Sequence, residues 1–550
     1  MRKTLLAFLP LFLFACQRIS YPTITLGYQN GFIVNHNDPA RPAYAWGLNN
    51  YYQLTLTSVG TTPNSIFKLG DGFEWVVPGF NHTCFKKVDD PWVKCAGSNQ
   101  YGQLGVATNF GVDRGNLARS VMQVSNLQDL DAGDAYTCLI DSGDLYCWGR
   151  NYYNQLGIQN VGPSTRNIPT PTHVHTGYEW RNVVTSQYNI PWYDESLNNP
   201  IDDGLTFGVA GHTCGITTSD QLYCWGKNTY NQLGPNSTPG VSSALPKLIP
   251  NPDPTNLSNV LEVSVTGDST CALWRHIGDS SNSSNYDYGR VYCWGVNAGG
   301  LLGRYNPGLS YLGPHNNFTL GKDKNPVQIR DAQGNPITHV SDLRGSSGTY
   351  SVVRQGPNPG LWSWGHNIEG AAGEDNQRNG FSTQPGMSHS DGHGSCNQGL
   401  PECCDDPFYR NQYFWRPTCT TDFCSANCSN WRCGDFWQDI FGTWQDDRGS
   451  QSSIVHPTQM PVPTGTLQLL LLGGGTSSSA GGVQCGIFSY DSAKPPGGRD
   501  GNEDFWRVYC WGPSWDWGAK DSNWCADKTS VLSWNPDNNS YGMALTEPIF

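Results

Sequence analysis

YCWGRNYYNQLG at residues 146–157 returns as YCWGKNTYNQLG at 223–234 and as YCWGVNAGGLLG at 292–303. Weaker copies read YAWGLNNYYQL from Tyr44, KCAGSNQYGQLG from Lys94, WSWGHNIEGAAG from Trp362 and YCWGPSWDWG from Tyr509. These seven copies of one phrase decide the architecture. A unit repeated every ~40–50 residues cannot bury its apolar face alone, so its copies must pack on one another in an array or propeller.

Upstream of the Trp-Gly lies a second recurring piece: GFNHTC ending at Cys84, GDAYTC at Cys138, GHTC at Cys214 and GDSTC at Cys271. Between the pieces, Leu139-Ile140 lead into Asp141-Ser142-Gly143-Asp144 and then Leu145-Tyr146-Cys147. Asp, Ser and Gly supply the backbone geometry of a tight turn, so this segment is a β-hairpin with Cys138 opposite Cys147. Facing positions bring Cβ atoms within ~4.5–5.5 Å, which suits a disulfide. The same reading pairs Cys84–Cys95, Cys214–Cys224, Cys271–Cys293 and Cys485–Cys510. The first and sixth copies carry Ala45 and Ser363 at the downstream position and lack the upstream Cys as well. Partners lost together are what a paired role requires, whereas a metal site needs four converging ligands and a hairpin supplies two. A third, edge-like piece precedes several blades and opens with Pro: Pro171-Thr172-His173-Val174, Pro246-Lys247-Leu248-Ile249, Pro326-Val327-Gln328-Ile329 and Pro457-Thr458-Gln459-Met460. Pro in a strand belongs at an edge or at the first residue.

The three pieces together resemble the regulator of chromosome condensation repeat family. The likeness spans nearly all of residues 17–550 and implies an all-β, seven-bladed β-propeller with four-stranded blades. The repeated Trp148, Trp225 and Trp294 are then packing residues, and the Asn with Gly-Gln-Leu-Gly sets the turn that follows. His82 and His212, just before a strand Cys, take a structural reading. Glu547-Pro548-Ile549-Phe550 looks like another Pro-led edge strand, so the ring is expected to close by pairing of the N- and C-terminal strands. Members of this family bind protein surfaces through propeller loops. The nucleotide-exchange activity of the nuclear member is not carried over.

Composition points out of the cytosol. The chain has 550 residues, 19 Cys, 21 Trp, 26 Tyr and a formal net charge of −13. Arg2 and Lys3 precede an apolar run, Leu5 to Phe14, too short to span a bilayer, so residues 1–16 read as an export signal. Leu13-Phe14-Ala15-Cys16 resembles a bacterial lipoprotein signal with Cys16 as the lipidated residue. Phe14 departs from that pattern, and plain secretory cleavage is the rival reading. Setting Cys16 aside leaves an even number of Cys, as a disulfide framework in an oxidising compartment requires. Sequons at Asn81, Asn236, Asn256, Asn282, Asn317, Asn427 and Asn538 are as many as chance gives in this composition and leave a bacterial or eukaryotic origin open. No basic run offers a phosphate-binding face, which argues against a nucleic-acid partner. A membrane enters only through the Cys16 anchor.

Function must then sit in what is added to the repeats. The largest addition, residues 380–453, carries Cys396, Cys403, Cys404, Cys419, Cys424, Cys428 and Cys433, with Cys525 as their remaining partner. Among them stand Phe408, Tyr409, Tyr413, Phe414, Trp415, Trp431, Phe436, Trp437 and Trp444. Small cores need covalent staples, so the segment reads as a disulfide module, and its surplus aromatics as a contact surface. A plain cover for the rim is the bland alternative, and Cys424, Cys428 and Cys433 fit no four-ligand zinc spacing. The pairs Asp202-Asp203, Asp405-Asp406 and Asp446-Asp447 read as solvated loops, and no phosphate loop, metalloprotease helix or nucleophile elbow is present. The expected protein is a non-enzymatic, cofactor-free, exported binder of another protein. A self-assembling surface component and a carbohydrate binder are the alternatives.

Overall fold

The computed structural model describes most of residues 23–366 apart from loops, of which 188–209 and 304–321 are the longest. Beyond them it describes the strands at 436–438, 444–446, 453–459, 466–474, 484–490, 506–511 and 542–544. Among the described residues the regular structure is β, without an α-helix. Strands fall into antiparallel runs of four in chain order, and five runs are separate sheets: residues 23–70, 73–123, 127–173, 180–249 and 466–544. The runs at 257–328 and 340–459 are fused into one eight-stranded sheet by a single bridge, Gly289 to Val340. Numbered in chain order, with the fused runs as five and six, each four-strand run contains one copy of the Trp-Gly phrase on its third strand. The first strands of successive runs lie against one another, and Thr466–Gly474 of the seventh lies against Thr23–Leu26 of the first.

The hairpins form as read. Cys138 pairs in register with Cys147 around a turn whose Ser142 and Gly143 both have positive φ, 56° and 90°, the geometry that joins twisted strands without splaying them. Disulfides join Cys84–Cys95, Cys138–Cys147, Cys214–Cys224 and Cys271–Cys293 across Cα separations of 4.1–4.2 Å. Cys485, also disulfide-bonded, lies opposite Cys510. Where the Cys pair is missing, another contact takes the position. Ser351 and Ser363 hydrogen-bond in the sixth sheet, and Phe32 faces Ala45 in the first.

The Pro-led segments are the fourth, outermost strands of their own sheets, and each Pro lies inside the strand. Pro171, Pro246, Pro326 and Pro457 each fall where the register slips opposite the Trp-Gly strand. A slip of this kind spares the ladder the N–H that Pro lacks. The first sheet completes itself with Phe67–Gly70. No ladder joins it to the seventh among the described residues, and the segment expected to do so, 547–550, lies outside them.

Neighbouring sheets are tied by the phrase itself. Nε1 of Trp148, Trp225, Trp294 and Trp364 donates to the carbonyls of Gln103, Gln155, Gln232 and Leu301 in the preceding sheet, at 2.9, 3.0, 2.9 and 3.0 Å. All four indoles are fully buried. The Gly after the Trp is obligatory: Gly226 has φ +100°, and a Cβ there would stand 2.3 Å from the carbonyl oxygen of Gly211. Replacing Trp225 with Phe keeps the ring but removes one of the two bonds to the buried carbonyl of Gln155, leaving only that from Thr213 Oγ1 at 2.8 Å. Chemical denaturation should show a loss of about 0.5–1.5 kcal/mol, the net worth of one hydrogen bond, and unchanged stability would contradict the tie.

Candidate functional site

In an antiparallel run of four strands, the first–second and third–fourth connections leave at the same end. That end carries the Asn-x-x-x-Gln-Leu-Gly turns, which are built alike. Oδ1 of Asn49, Asn99, Asn151, Asn228 and Asn297 accepts from the backbone N–H five residues on, at 2.9–3.1 Å. Within four of these turns, Oε1 of Gln53, Gln103, Gln155 and Gln232 accepts from the N–H of Tyr51, Tyr101, Tyr153 and Tyr230. The turn chemistry thus presents a half-buried tyrosine at the same place in the first four sheets.

Cations fill the gaps. Arg150 follows the Trp-Gly of the third sheet and holds Asp134 at 2.6 Å and the carbonyl of Ala210 at 3.0 Å, with its guanidinium 5.6 Å over Tyr101. Lys227, the equivalent residue of the fourth sheet, holds Asp268 at 3.0 Å and lies 5.5 Å from the Tyr153 ring and 6.0 Å from Tyr230. Arg166 stands 5.1 Å over Tyr152. Each buried cation has its own carboxylate, so the row of tyrosines and cations is preorganised. Tyrosine and arginine held rigid in this way are the side chains that dominate protein-recognition surfaces.

The insertion starts from this same end, because residues 367–452 connect the third strand of the sixth sheet, Gly360–His366, to its fourth, Ser453–Gln459. Its candidate side chains, Phe408, Tyr409, Tyr413, Phe414, Trp415, Trp431, Trp437 and Trp444, lie outside the residues whose side chains are described. So do Cys396, Cys403, Cys404, Cys419, Cys424, Cys428, Cys433 and Cys525, and the acidic pairs. Within it, Phe436–Gln438 pairs with Trp444–Asp446 as an antiparallel hairpin.

A second polar cluster, which reading the sequence did not find, lines the first strands. Asp129 accepts from the N–H of Val183 at 2.8 Å and from Asn182 Nδ2 at 2.8 Å, and Asp131 accepts from Thr185 N at 2.6 Å. Two sheets on, Glu262 accepts from Leu343 N at 2.8 Å and Ser264 from Gly345 N at 2.7 Å. Arg344 pairs with Glu262 and with Asp342 at 3.3 Å. Burial pushes the Asp129 carboxyl up to about 7, with the Asp131 charge adding to the shift, and raises Asp131 too. The same burial brings Arg344 down to about 10 against the pull of Asp129 and Asp131. These acids cap the open N–H edge of the next sheet's first strand. Their alternation in Leu127–Ala132 and Leu257–Val265 was the signal available in the sequence.

His82 and His212 are structural. Their Nε2 atoms lie 2.8 Å from Thr137 Oγ1 and 3.0 Å from Thr270 Oγ1 of the following sheet, fully buried. Burial brings them down to about 3 and about 4. Both values lie below the unfolded value near 6.5. Their contribution to stability is therefore complete above pH 6.5 and is lost as pH falls through the folded-state values. Replacing either with Gln should flatten the acid limb of the stability–pH curve between pH 6.5 and 4, by up to about 1.4 kcal/mol per pH unit. Denaturation midpoints across this range check it, and an unchanged slope would show that these histidines do not set it.

The model of the regulator of chromosome condensation repeat matches residues 142–186 and 219–273. The chain is 25% identical over 308 residues to the ultraviolet-B receptor UVR8 of Arabidopsis thaliana, covering 49% of this chain and 64% of that protein. It is 28% identical over 190 residues to the serine/threonine-protein kinase Nek9 of Xenopus laevis, covering 33% of this chain but 18% of the kinase. Among solved structures, Prp20p of Saccharomyces cerevisiae aligns over 63% of this chain and 72% of its own with 17% identity and a TM-score of 0.47.

Proposed function

We propose that this chain, whose residues 142–186 and 219–273 are regulator of chromosome condensation repeats, is an exported, non-enzymatic propeller that binds another protein at its tyrosine-bearing end. Its seven four-strand runs would close as a ring, the seventh against the first. The observation that carries the binding role is the preorganised row of Tyr101, Arg150, Tyr153, Lys227 and Tyr230, with the 380–453 insertion departing from the same end. A rigid row of this kind loses little side-chain entropy on association. Export rests on the basic and apolar start of the chain and on hairpin disulfides, which persist in oxidising compartments. Anchoring through Cys16 is part of the same reading. UVR8 is named as a receptor and Prp20p is described with binding properties to Gsp1p and histones. Those partners are not assigned to this chain.

Two variants test the reading. Tyr152 and Tyr153 changed together to Ala should leave thermal stability within a few degrees and reduce capture of the chain's partner, from the source organism's surface or medium, at least ~10-fold, the scale of a lost interface anchor. Exchange of residues 380–453 for a short Gly-Ser loop should also fold and lose capture. Full capture by both variants would sink the proposal. Loss of folding by the loop exchange alone would give the insertion the structural role of a rim cover.

A further inference from the structure

Thr23 opens the first strand of the first sheet, and its place decides which end of the sheets lies nearest to Cys16. Its Oγ1 is 3.1 Å from Nε2 of His36, a residue of that sheet's second–third connection. The same strand ends at Leu26, whose carbonyl accepts from Nε2 of Gln187 at 3.1 Å, just past the first strand of the fourth sheet. Both strands therefore run from the hairpin end, where the second–third turns lie, toward the tyrosine row. Cys16 stands seven residues before Thr23. A chain spans at most ~3.3–3.6 Å per residue, so a lipid on Cys16 lies within ~25 Å of the hairpin end.

That end presents apolar and aromatic side chains on loops that are held in place. The second–third turn of the second sheet reads Lys87-Val88-Asp89-Asp90-Pro91-Trp92. Val88 is 44% exposed, Pro91 is exposed, and Trp92 is half-buried where its strand begins. Val88 N donates to the Gly72 carbonyl at 2.9 Å, and Trp92 N donates to Asp90 Oδ1 at 3.0 Å. Tyr178 precedes the first strand of the fourth sheet and is 43% exposed. Its ring lies on Tyr223, with centroids 4.6 Å apart, and meets Trp180 edge to face at 5.9 Å. Tyr and Trp with one apolar side and one wet side are the residues of membrane–water interfaces. Exposed Asp89 and Glu179 adjoin these side chains. The contact they allow is therefore apolar, and a neutral headgroup fits it better than an anionic one.

We propose, on the reading that Cys16 carries the anchor, that the hairpin end is a bilayer-facing surface. Val88, Trp92 and Tyr178 rest among the headgroups of a phosphatidylcholine leaflet, and the tyrosine row faces away from it. Side chains in such a contact sink only ~5–10 Å into the headgroup region, which projecting turns reach without unfolding. The opposite end, where residues 367–452 depart, is then open to a partner in the medium or on a facing surface, and closed to one embedded in the same leaflet.

Hydroxyl-radical footprinting of the full chain from its source organism, reconstituted on phosphatidylcholine vesicles, tests this. The control is residues 17–550 without lipid, mixed with the same vesicles, and the mass of the N-terminal peptide is recorded alongside. Oxidation of Tyr178 and Trp92 should slow ~3-fold or more in the anchored chain, as for half-open side chains brought under a headgroup layer, while Tyr152 and Tyr153 keep the control rate. Val88→Asp combined with Tyr178→Asp should remain anchored and lose the slowing at Trp92. The parent's footprint decides even where that variant is unstable. An N-terminal peptide without lipid would overturn the anchor and this surface together. A lipidated chain whose Tyr178 and Trp92 oxidise at the control rate, or whose Tyr152 and Tyr153 are slowed as much, would overturn the surface alone and leave the anchor standing. Slowing kept in full at Trp92 by the folded variant would overturn it as well.

Discussion

The structure depends on one interaction made between sheets: an indole N–H of one repeat donating to a main-chain carbonyl of the repeat before it. A four-strand run has two faces to cover, and neither can be covered from within. In four copies the Trp covers the neighbouring turn and donates to a buried main-chain carbonyl there, which in the turns of Gln103, Gln155 and Gln232 also accepts from a Thr hydroxyl. The rest of the phrase serves that contact. Asn fixes the turn through its side-chain oxygen, Gln fixes the tyrosine N–H and offers its own carbonyl, and the final Gly lets the next indole come near. A Cβ on Gly157 would stand 2.8 Å from Trp225 Nε1. The repeat is a docking instruction written into each copy.

The first strands meet a different constraint. Apart from the single bridge at Val340, each has one edge without a strand partner among the described residues, and open N–H groups at an edge must be capped or they invite other chains. Asp129, Asp131, Glu262 and Ser264 cap alternate N–H groups of the neighbouring run, and Arg344 offsets part of the charge so gathered. The acids are held in half-buried places, at the expense of raised protonation tendency in Asp129 and Asp131. The same rigidity that fixes the sheets fixes the loops at their ends. On the proposed function, a stability device becomes a recognition platform in this way: the tyrosines and cations of the candidate face are mounted on turns held by their own Asn and Gln side chains.

Much of this was legible from local patterns. The hairpin at Cys138–Cys147 could be read because the turn, the alternation and the two Cys all fall within a dozen residues, and the fourth-strand prolines kept to sheet edges for the reason their chemistry gives. Their position inside the strand was not legible, because it depends on a register slip that only the partner strand reveals. Asp129 and Asp131 in LQDLDA carry no local mark of their role, since the N–H groups they accept from, those of Val183 and Thr185, come from the next run. The insertion, by contrast, declared itself by its Cys and aromatic content alone.

A chain of sheets tied one to the next can end as an open array or close on itself, and the two differ in how they come apart. An open array frays from its ends, whereas a closed ring has none to fray. Native-state hydrogen exchange, resolved by mass spectrometry over the second strands of all seven runs, tests this directly. The account predicts that amides of Asn30–Val34 and Gln484–Tyr490 exchange with the same opening free energy as those of Tyr136–Asp141 and His212–Thr217. Earlier exchange in the first and seventh runs, graded toward the middle, would contradict it.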